Sequence, residues 1–463
     1  MAAAFIPPAI TPPERQLPFF AALKAMLDNP MEAWPRAVYE EDVYVPPRAD
    51  FRRIYLCEPA ALKRVFLDEV ADFPKSPLAQ RLLTPMLGQG LVTATHEAWR
   101  WQRLAAAPAF QQKGIDQCAP AIAACTTRAL DRWRADGEGE RDICAEMMRI
   151  TFDIILDTML GGRDGVDAAE MGRQFNAYLS YLGKPSLADV LGLPTFVRTA
   201  VAADGGACVT FMKDAVDRLI KERRSAPPRG DLVDLLMRAA DQSGRAMNDV
   251  ELRDNILTFL AAGHETTALS LTWALYLISQ QDECEARILE EIAGVAGEAP
   301  IDAKIAGKLL YTRSVIEEAM RLYPPVPVLA RVAAKDCELV GRKVRRGDAV
   351  IAPIYALHRH RRHWQRPDEF WPERFAEPRL HVRQRYIYMP FGAGPRICLG
   401  AQFALVEATI VLATIVRGYK MKLREGHHIR PLLRITMRPE GGLPMRTIQR
   451  GRAYPRGGQR WAA

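Results

Sequence analysis

The apolar positions of this chain recur mostly at the three-to-four spacing of α-helices. This spacing predicts helices over 58–68, 97–107, 118–134, 140–160, 206–223, 250–280, 283–296, 311–323 and 401–417. Alternation of apolar and polar residues around glycine turns predicts strands near residue 51, across 337–353 and close to the C-terminus. The predicted fold class is therefore mainly α with small β-sheets.

The chain of 463 residues is long enough to bury a large core, and we expect a single domain over 1–463. Its proline- and glycine-rich ends, 1–30 and 450–463, are expected to be loosely ordered. No glycine-rich nucleotide fingerprint follows a predicted strand, so we expect no fused reductase. Any electrons that the protein uses must then come from another protein.

Several features favour a cytoplasmic location. The first thirty residues contain six prolines and four charged residues, which excludes a spanning helix or a secretory signal there. The longest apolar stretch, 256–278, is interrupted by His264 and Glu265 and is expected to be a buried helix. The eight cysteines form no Cys-x-x-Cys pair. We therefore expect a cytoplasmic monomer without a membrane anchor.

A glycine-rich loop, 391–400, stands directly before the helix predicted at 401–417. Its glycines permit tight turns and the close approach of a flat ligand. Cys398 lies at the N-terminal end of that helix, where unpaired N–H groups and the helix dipole favour a thiolate. A thiolate is a good iron ligand, although an isolated cysteine in such a loop is commonly just buried.

The loop fits Phe-Gly-x-Gly-x-Arg-x-Cys-x-Gly at every specified position and resembles the cytochrome P-450 family. The resemblance covers roughly Trp99 to Arg446 and implies a large helical domain, a smaller β-rich region and haem b between a distal helix and this loop. It implies that Cys398 is the axial iron ligand, that Phe391 packs near its sulfur, that Gly392 helps to hold the haem and that Arg396 binds a propionate.

A thiolate ligand favours O–O cleavage on the iron. The resemblance therefore implies a haem-thiolate monooxygenase that inserts one atom of O2 into a substrate. NAD(P)H would serve only indirectly, through an acidic ferredoxin or flavodoxin and its reductase.

Residues 262–267 are similar to the family's oxygen-activation motif. Ala262 and Thr266 are four apart and share a helix face, and we expect Gly263 to leave space for dioxygen on the iron. The Thr266 hydroxyl can bond back to a carbonyl or serve bound oxygen, and the resemblance implies that Glu265 relays protons. In this helix alone, the threonine would more often pack and Glu265 would pair with a surface base.

Further charged residues match the family. Glu318 and Arg321 lie three apart on one helical face, Arg374 follows later, and together they resemble a structural ion-pair network behind the haem. Trp99, Arg103 and Arg331 also match family positions that contact the haem, whereas a lone arginine is usually a solvated surface charge. The further cofactor-binding candidates are Trp99, Arg103, Arg331, Ala262 and Gly263.

The formal net charge of +8 is concentrated in 341–400, which holds 13 basic and 5 acidic residues. No nucleic-acid-binding motif accompanies this charge, so we expect no nucleic-acid partner. Within it, 358–363 contains three histidines and three arginines. Because arginines repel cations, we expect a solvated basic segment that attracts an acidic electron-transfer protein rather than a metal site.

Apolar residues are expected to line a pocket over the distal haem face, and 78–92 and 172–205 are expected to overhang it. The lining candidates are Phe259, Ala262, Val328, Leu329 and Ile435. A fatty acid, terpenoid, steroid or aromatic compound would suit such a pocket. Two alternatives stay open: a peroxygenase that uses H2O2, disfavoured by the presence of Glu265 and Thr266, and a non-catalytic haem-binding sensor.

Overall fold

The computed structural model describes residues 4–47, 53–162, 168–182, 202–240, 244–376 and 385–451. In chain order, its α-helices are α1 Phe19–Asp28, α2 Pro59–Lys63, α3 Pro77–Leu87, α4 His96–Ala106, α5 Gln112–Asp136, α6 Ile143–Met159, α7 Ala168–Leu182, α8 Ala202–Ser225, α9 Leu232–Arg238, α10 Asp249–Ser279, α11 Asp282–Val295, α12 Ala303–Ala306, α13 Leu310–Leu322, α14 Ile354–Leu357 and α15 Ala401–Gly418. A π-helical turn, Arg64–Asp68, follows α2 directly.

The strands are short and form small sheets. They are β1 Val43–Tyr44, β2 Arg53–Leu56, β3 Gly139–Asp142, β4 Leu329–Val332, β5 Cys337–Leu339, β6 Arg342–Val344, β7 Ala349–Ala352, β8 Tyr419–Leu423, β9 Pro431–Leu433, β10 Met437–Pro439 and β11 Pro444–Gln449. One sheet has the order β1-β2-β7-β4 and another β3-β11-β8, while β5-β6 and β9-β10 are two-stranded. The fold class predicted from the sequence is confirmed.

All nine predicted helices are present, and most of their ends agree with the prediction to within a few residues. The helix predicted at 140–160 begins only at Ile143, because Gly139–Asp142 pairs with β11 as strand β3. Asp142 then caps α6, accepting a hydrogen bond of 2.9 Å from the Cys144 N–H. The periodicity missed α3, where prolines stand at the first position and inside the helix.

The N-terminal segment, predicted to be loosely ordered over 1–30, contacts the fold at Pro8 and Ile10. The Ile10 N–H donates to the Tyr355 hydroxyl over 3.0 Å, and the Tyr323 hydroxyl donates to the Pro8 carbonyl over 2.7 Å. Ile10 is buried, because the helical core extends to this segment. Most of the predicted C-terminal end, 452–463, lies outside the described residues.

Helix α10 runs through the centre of the helical part. Its start is fixed by a reciprocal capping box, in which Asn248 and Glu251 each accept a backbone hydrogen bond of 3.0 Å from the other. It packs against α6, α8, α13 and α15 and is buried along most of its length. A second, smaller apolar cluster lies under the β1-β2-β7-β4 sheet and α2, which separates a β-rich region from the helical body.

Among the described helices, α15 is long and apolar enough to cross a membrane by length and composition. However, 61% of it is buried inside the fold, so packing accounts for its apolar character.

Candidate functional site

The loop before α15 is held closed by its own backbone. The Cys398 N–H donates to the Phe391 carbonyl over 2.9 Å. Gly392 and Gly394 have φ of 75° and 70°, which residues with a side chain rarely adopt. A Cβ on Gly394 would lie 1.8 Å from the Phe66 carbonyl oxygen. The loop therefore rests on the π-helical turn, and its two glycines are required for that close approach.

Cys398 is the one exposed cysteine among the eight, and surrounding protein atoms still desolvate its sulfur in part. Burial raises the pKa of its thiol, while the backbone N–H of Gly400 and the Arg103 guanidinium lower it. The stabilisation expected from the helix end is therefore present but is outweighed by desolvation. A cation at the sulfur, such as an iron ion, would favour the thiolate.

Four basic side chains converge beside this loop. The Arg103 guanidinium donates to the Ile397 carbonyl over 2.9 Å, and Arg396 donates to the Ala94 carbonyl over 3.0 Å. Burial and the charges of Arg396 and Arg331 lower the pKa of Lys75 to about 7. Burial and Arg396 lower the pKa of Arg331 to about 10. These four groups therefore lie close together and share a desolvated environment.

No carboxylate of the described residues lies within ion-pair distance of any of these four cations. Buried cations without a counter-ion are costly, and two carboxylates of a bound group would relieve that cost. Lys75 was not predicted, because nothing in the sequence around it marks a ligand. Only the pairing of Lys75 with Arg331 in an isolated β-bridge brings it to the cluster.

Trp99 on α4 supports the same cluster. Its ring centroid lies 4.4 Å from the Arg396 guanidinium carbon and 6.0 Å from that of Arg103. The indole therefore orients two of the cations by cation–π contact.

The face of α10 that carries Ala262 and Thr266 is not covered by protein. Ala262 is exposed and Thr266 is half-buried, whereas most of this helix is fully buried. The Thr266 hydroxyl donates to the Ala262 carbonyl over 2.7 Å. These residues thus share a face, as predicted, and the hydroxyl is in its back-bonded arrangement.

Gly263 has a packing role, and its expected role in leaving space for dioxygen stays a prediction. A Cβ on Gly263 would lie 2.5 Å from Cδ1 of Ile155 on α6, so the glycine permits close packing of the two helices. The next residue, His264, is fully buried and its Nε2 lies 2.9 Å from the Met148 carbonyl of α6. Residues 263 and 264 therefore serve the contact between α10 and α6.

Glu265 is buried and paired. Its Oε1 accepts a hydrogen bond of 2.6 Å from the Thr436 hydroxyl and forms an ion pair with Arg438 on β10. The sequence allowed Glu265 either to relay protons or to pair with a base. In the structure it pairs with a base, Arg438. The base is largely buried, however, with 23% of the Arg438 side chain exposed.

A buried carboxyl that the sequence did not single out lies on α15. Neither carboxyl oxygen of Glu407 has a hydrogen-bond partner among the described residues. Burial raises the pKa of this carboxyl well above its ordinary value, and the nearby Thr267 on α10 counteracts this only in part. Burial therefore favours the neutral form of the Glu407 carboxyl over the charged form.

The predicted ion pairs of Glu318 are present, with Glu318 and Arg321 completely buried and Arg374 nearly so. Arg321 donates to both carboxylate oxygens, over 2.7 and 2.9 Å, and Arg374 lies 3.0 Å from Oε2. Arg321 also donates to the carbonyls of His358 and Pro367 over 2.8 and 2.7 Å. The network therefore ties α13 to the loops that follow α14.

The predicted pocket residues take different environments. Val328, Leu329 and Ile435 are half-buried beside the cores, which is the exposure expected of a cavity wall. A Cβ on Gly392 would lie 3.7 Å from Leu329, so this wall reaches the cysteine loop. Phe259 is buried and stacks on Phe110 with ring centroids 5.6 Å apart, which favours a packing role.

Of the predicted overhanging segments, 78–92 belongs mostly to α3 and the turn after it. Of 172–205, the part over 183–201 lies outside the described residues.

The prediction that 358–363 is solvated is wrong for its first three residues. His358, Arg359 and His360 are buried, and Arg359 lies over the Tyr355 ring of α14 while His360 contacts the Glu41 carbonyl. Arg361 and Arg362 are exposed and form ion pairs with Asp368 and Asp42. Only these two arginines are available at the surface.

The residues present fit a haem, since an accessible cysteine sulfur lies beside a cluster of cations that lacks an anion. The fold and this site together define a haem-thiolate protein, with Cys398 as the residue that would hold the iron. The sequence model of the cytochrome P450 family matches residues 50–444.

Several proteins with similar sequences carry names that fit a haem-thiolate enzyme. A cytokinin hydroxylase from Arabidopsis thaliana is 30% identical over 85% of this chain and 78% of its own length. Cytochrome P450 4V2 from Mus musculus is 30% identical over 73% of this chain and 69% of its own length, and the cyclooctatin synthase of Streptomyces melanosporofaciens is 30% identical over 82% and 83%.

This chain belongs to the cytochrome P450 family. It is a P450 monooxygenase, a class that uses haem iron, O2 and redox partners, so the non-catalytic sensor is set aside.

Proposed function

We propose that this protein hydroxylates a lipophilic substrate, a fatty acid, terpenoid, steroid or aromatic compound, with haem b held by Cys398. The observation that carries the proposal is the accessible Cys398 sulfur beside four cations without a counter-ion. Iron with a thiolate ligand supplies O2 binding and O–O cleavage when the haem is bound. The name of one relative, a hydroxylase, supports the reaction type.

Each protein group has a distinct task in this proposal. Arg103, Arg331, Arg396 and Lys75 bind the propionates, and Trp99 orients two of them. Phe391 and Gly392 shape the loop around the sulfur. A wall of Ala262, Val328, Leu329 and Ile435 excludes water and orients the substrate by apolar contact.

Thr266 and Glu265 handle protons. The Thr266 hydroxyl can exchange its bond to the Ala262 carbonyl for a bond to a ligand on its exposed face. Glu265 can accept protons from solvent once it separates from Arg438. Proton supply to the distal side therefore depends on that ion pair.

The test of the iron ligand compares Cys398→His with Cys337→His, which changes a half-buried cysteine on β5. Cys398→His is expected to retain haem but to lose the spectrum of a thiolate-bound CO complex and to lose hydroxylation. Cys337→His should leave both unchanged. An unaltered CO spectrum in Cys398→His would disprove the assignment.

The test of the proton relay is Thr266→Ala, with Thr272→Ala as its control, because Thr272 makes the same type of back-bond, 2.7 Å to Ala268, on the same helix. Thr266→Ala is expected to consume electrons but to release H2O2 instead of product. Thr272→Ala should keep its yield of product per electron. Equal yields in both variants would contradict the relay.

The substrate class is tested by titrating a lipophilic library while the spin state of ferric haem is followed. For the redox partner, we propose an acidic ferredoxin or flavodoxin that docks at Arg361 and Arg362, because these are the surface cations of 358–363. Reversal of both charges should slow reduction and reduce its salt dependence. The cytoplasmic location, the monomeric state and the lack of an anchor stay predictions.

One alternative has an observation in its favour. Because Glu265 is paired with Arg438, a peroxygenase that needs no delivered proton from Glu265 remains a candidate. Turnover with H2O2 but with no reduced ferredoxin or flavodoxin would establish it.

A further inference from the structure

Three side chains with metal-binding groups meet outside the set of residues assigned to the haem. Asp42 precedes β1, while His360 and His363 lie in the turns that follow α14. One potential ligand atom from each lies within 4.8 Å of the other two. Asp42 and His363 are half-buried and His360 is buried.

The backbone fixes the orientation of both imidazoles. The His360 Nε2 lies 3.1 Å from the Glu41 carbonyl oxygen, and the His363 Nε2 lies 3.0 Å from the Cys57 carbonyl oxygen. A carbonyl only accepts hydrogen bonds, so each Nε2 must carry the hydrogen. In a neutral imidazole, this leaves the Nδ1 lone pair available. Histidines that bind metals in proteins usually donate their other N–H in this way.

One of these Nδ1 atoms has no partner. The His360 side chain is completely buried, and its Nδ1 makes no hydrogen bond with any described residue. Buried polar atoms without a partner are rare and require an explanation. The rings of His360 and His363 are stacked, with centroids 4.5 Å apart and planes at 26°. The imidazole that carries the unpartnered nitrogen therefore lies against a second imidazole, in the group that also contains Asp42.

The neighbouring arginines do not exclude a cation here. Arg362 forms an ion pair with Asp42, 2.9 Å from Nη1 to Oδ2, and Arg361 pairs with Asp368. The Arg362 side chain is 58% exposed, so it can turn into solvent and give up the carboxylate. A metal ion would then replace Arg362 as the counter-ion of Asp42.

We propose that Asp42, His360 and His363 form a binding site for a divalent ion of the Zn²⁺ type. Two imidazole nitrogens and one carboxylate oxygen suit Zn²⁺, with water as a fourth ligand, whereas Mg²⁺ and Ca²⁺ prefer oxygen ligands only. The ion would join the N-terminal strand to a turn about 320 residues later in the chain. It therefore acts as a structural clip, separate from the haem chemistry.

The test uses haem-loaded protein without an affinity tag, treated with a chelator and then dialysed against Zn²⁺, with bound metal measured by elemental analysis. We expect one Zn²⁺ per chain and a rise in the thermal midpoint with Zn²⁺. His360→Gln and His363→Gln keep a side-chain N–H for the carbonyls but remove Nδ1. Since loss of an outer-shell partner alone costs about 10–100-fold in affinity, each should weaken binding at least about tenfold.

The matched control is His428→Gln, which changes an exposed histidine outside the group and should leave the affinity unchanged. Arg362→Ala removes the competing cation and should tighten binding. If a variant of the buried His360 loses its haem, Asp42→Asn tests the site instead, because Asp42 is half-exposed. The proposal fails if Zn²⁺ does not saturate at one ion per chain, or if the histidine and Asp42 variants bind it as tightly as His428→Gln.

Discussion

Glu265 on α10 forms an ion pair with Arg438 on β10, which anchors the acid of the distal helix to a hairpin 173 residues later in the chain. The same oxygen accepts a hydrogen bond from Thr436. The hairpin itself is fixed to α10, because the Trp273 indole N–H donates to the Met437 carbonyl over 3.1 Å. The distal acid and the late hairpin therefore form one packed unit.

Arg438→Met should destabilise the fold, because it leaves the Glu265 carboxylate buried without its cation. Loss of one partner of a buried pair costs about 3–5 kcal/mol, and the partial exposure of Arg438 reduces this to about 2–3 kcal/mol. The additional change Glu265→Gln should restore most of the loss. Thermal midpoints of the two single variants and the double variant measure the coupling, and simple additivity would contradict the prediction.

Arg374→Ala should be much more damaging than loss of an exposed pair. It removes one of the two cations on Glu318 and leaves the Gln365 and Arg366 carbonyls without their donors, at a cost of about 3–5 kcal/mol. Arg134→Ala breaks a surface pair with Asp131 and should cost less than about 1 kcal/mol. The haem content and the yield of folded protein are measured for both variants. Similar losses in both variants would be evidence against the network's structural role.

Glu407 should make stability depend on pH. Its pKa is raised in the folded state, so its contribution is fully present below the pKa of an unfolded glutamate, about 4.3, and is lost as the pH rises toward the folded-state pKa. Glu407→Gln should remove this decline and be more stable than the parent near neutral pH. The thermal midpoint, followed between about pH 5 and 8, measures it. The exposed Glu283→Gln is the control, and a slope unchanged in Glu407→Gln would refute the prediction.

Gly394→Ala should prevent formation of the cysteine loop, whereas Gly392→Ala should be tolerated better. Both require a positive φ, which costs a residue with a side chain about 1–2 kcal/mol. Only at Gly394 would the new Cβ also collide with a backbone atom, the Phe66 carbonyl oxygen at 1.8 Å, whereas Gly392 has 3.7 Å to the Leu329 side chain. The haem content after expression distinguishes them, and equal retention would exclude the collision as the cause.

The sequence alone determined the helices with strong periodicity, the cysteine loop and the acid–threonine segment. These features depend on interactions within a few residues, such as helical spacing and the turns at Gly392 and Gly394. The pairing of Glu318 with Arg321 was predictable for the same reason, since residues three apart share a helix face.

Only the tertiary structure decided which distant groups meet. It brought Lys75 to Arg331, Arg438 to Glu265 and Asp42 to His360, and it turned Gly263 toward Ile155. Each of these contacts joins residues more than 100 positions apart, and their partners are chosen by how whole helices and sheets pack rather than by local pattern. This packing sets the burial and the charged partners of these side chains. Their pairing could therefore not be predicted from their neighbours in sequence.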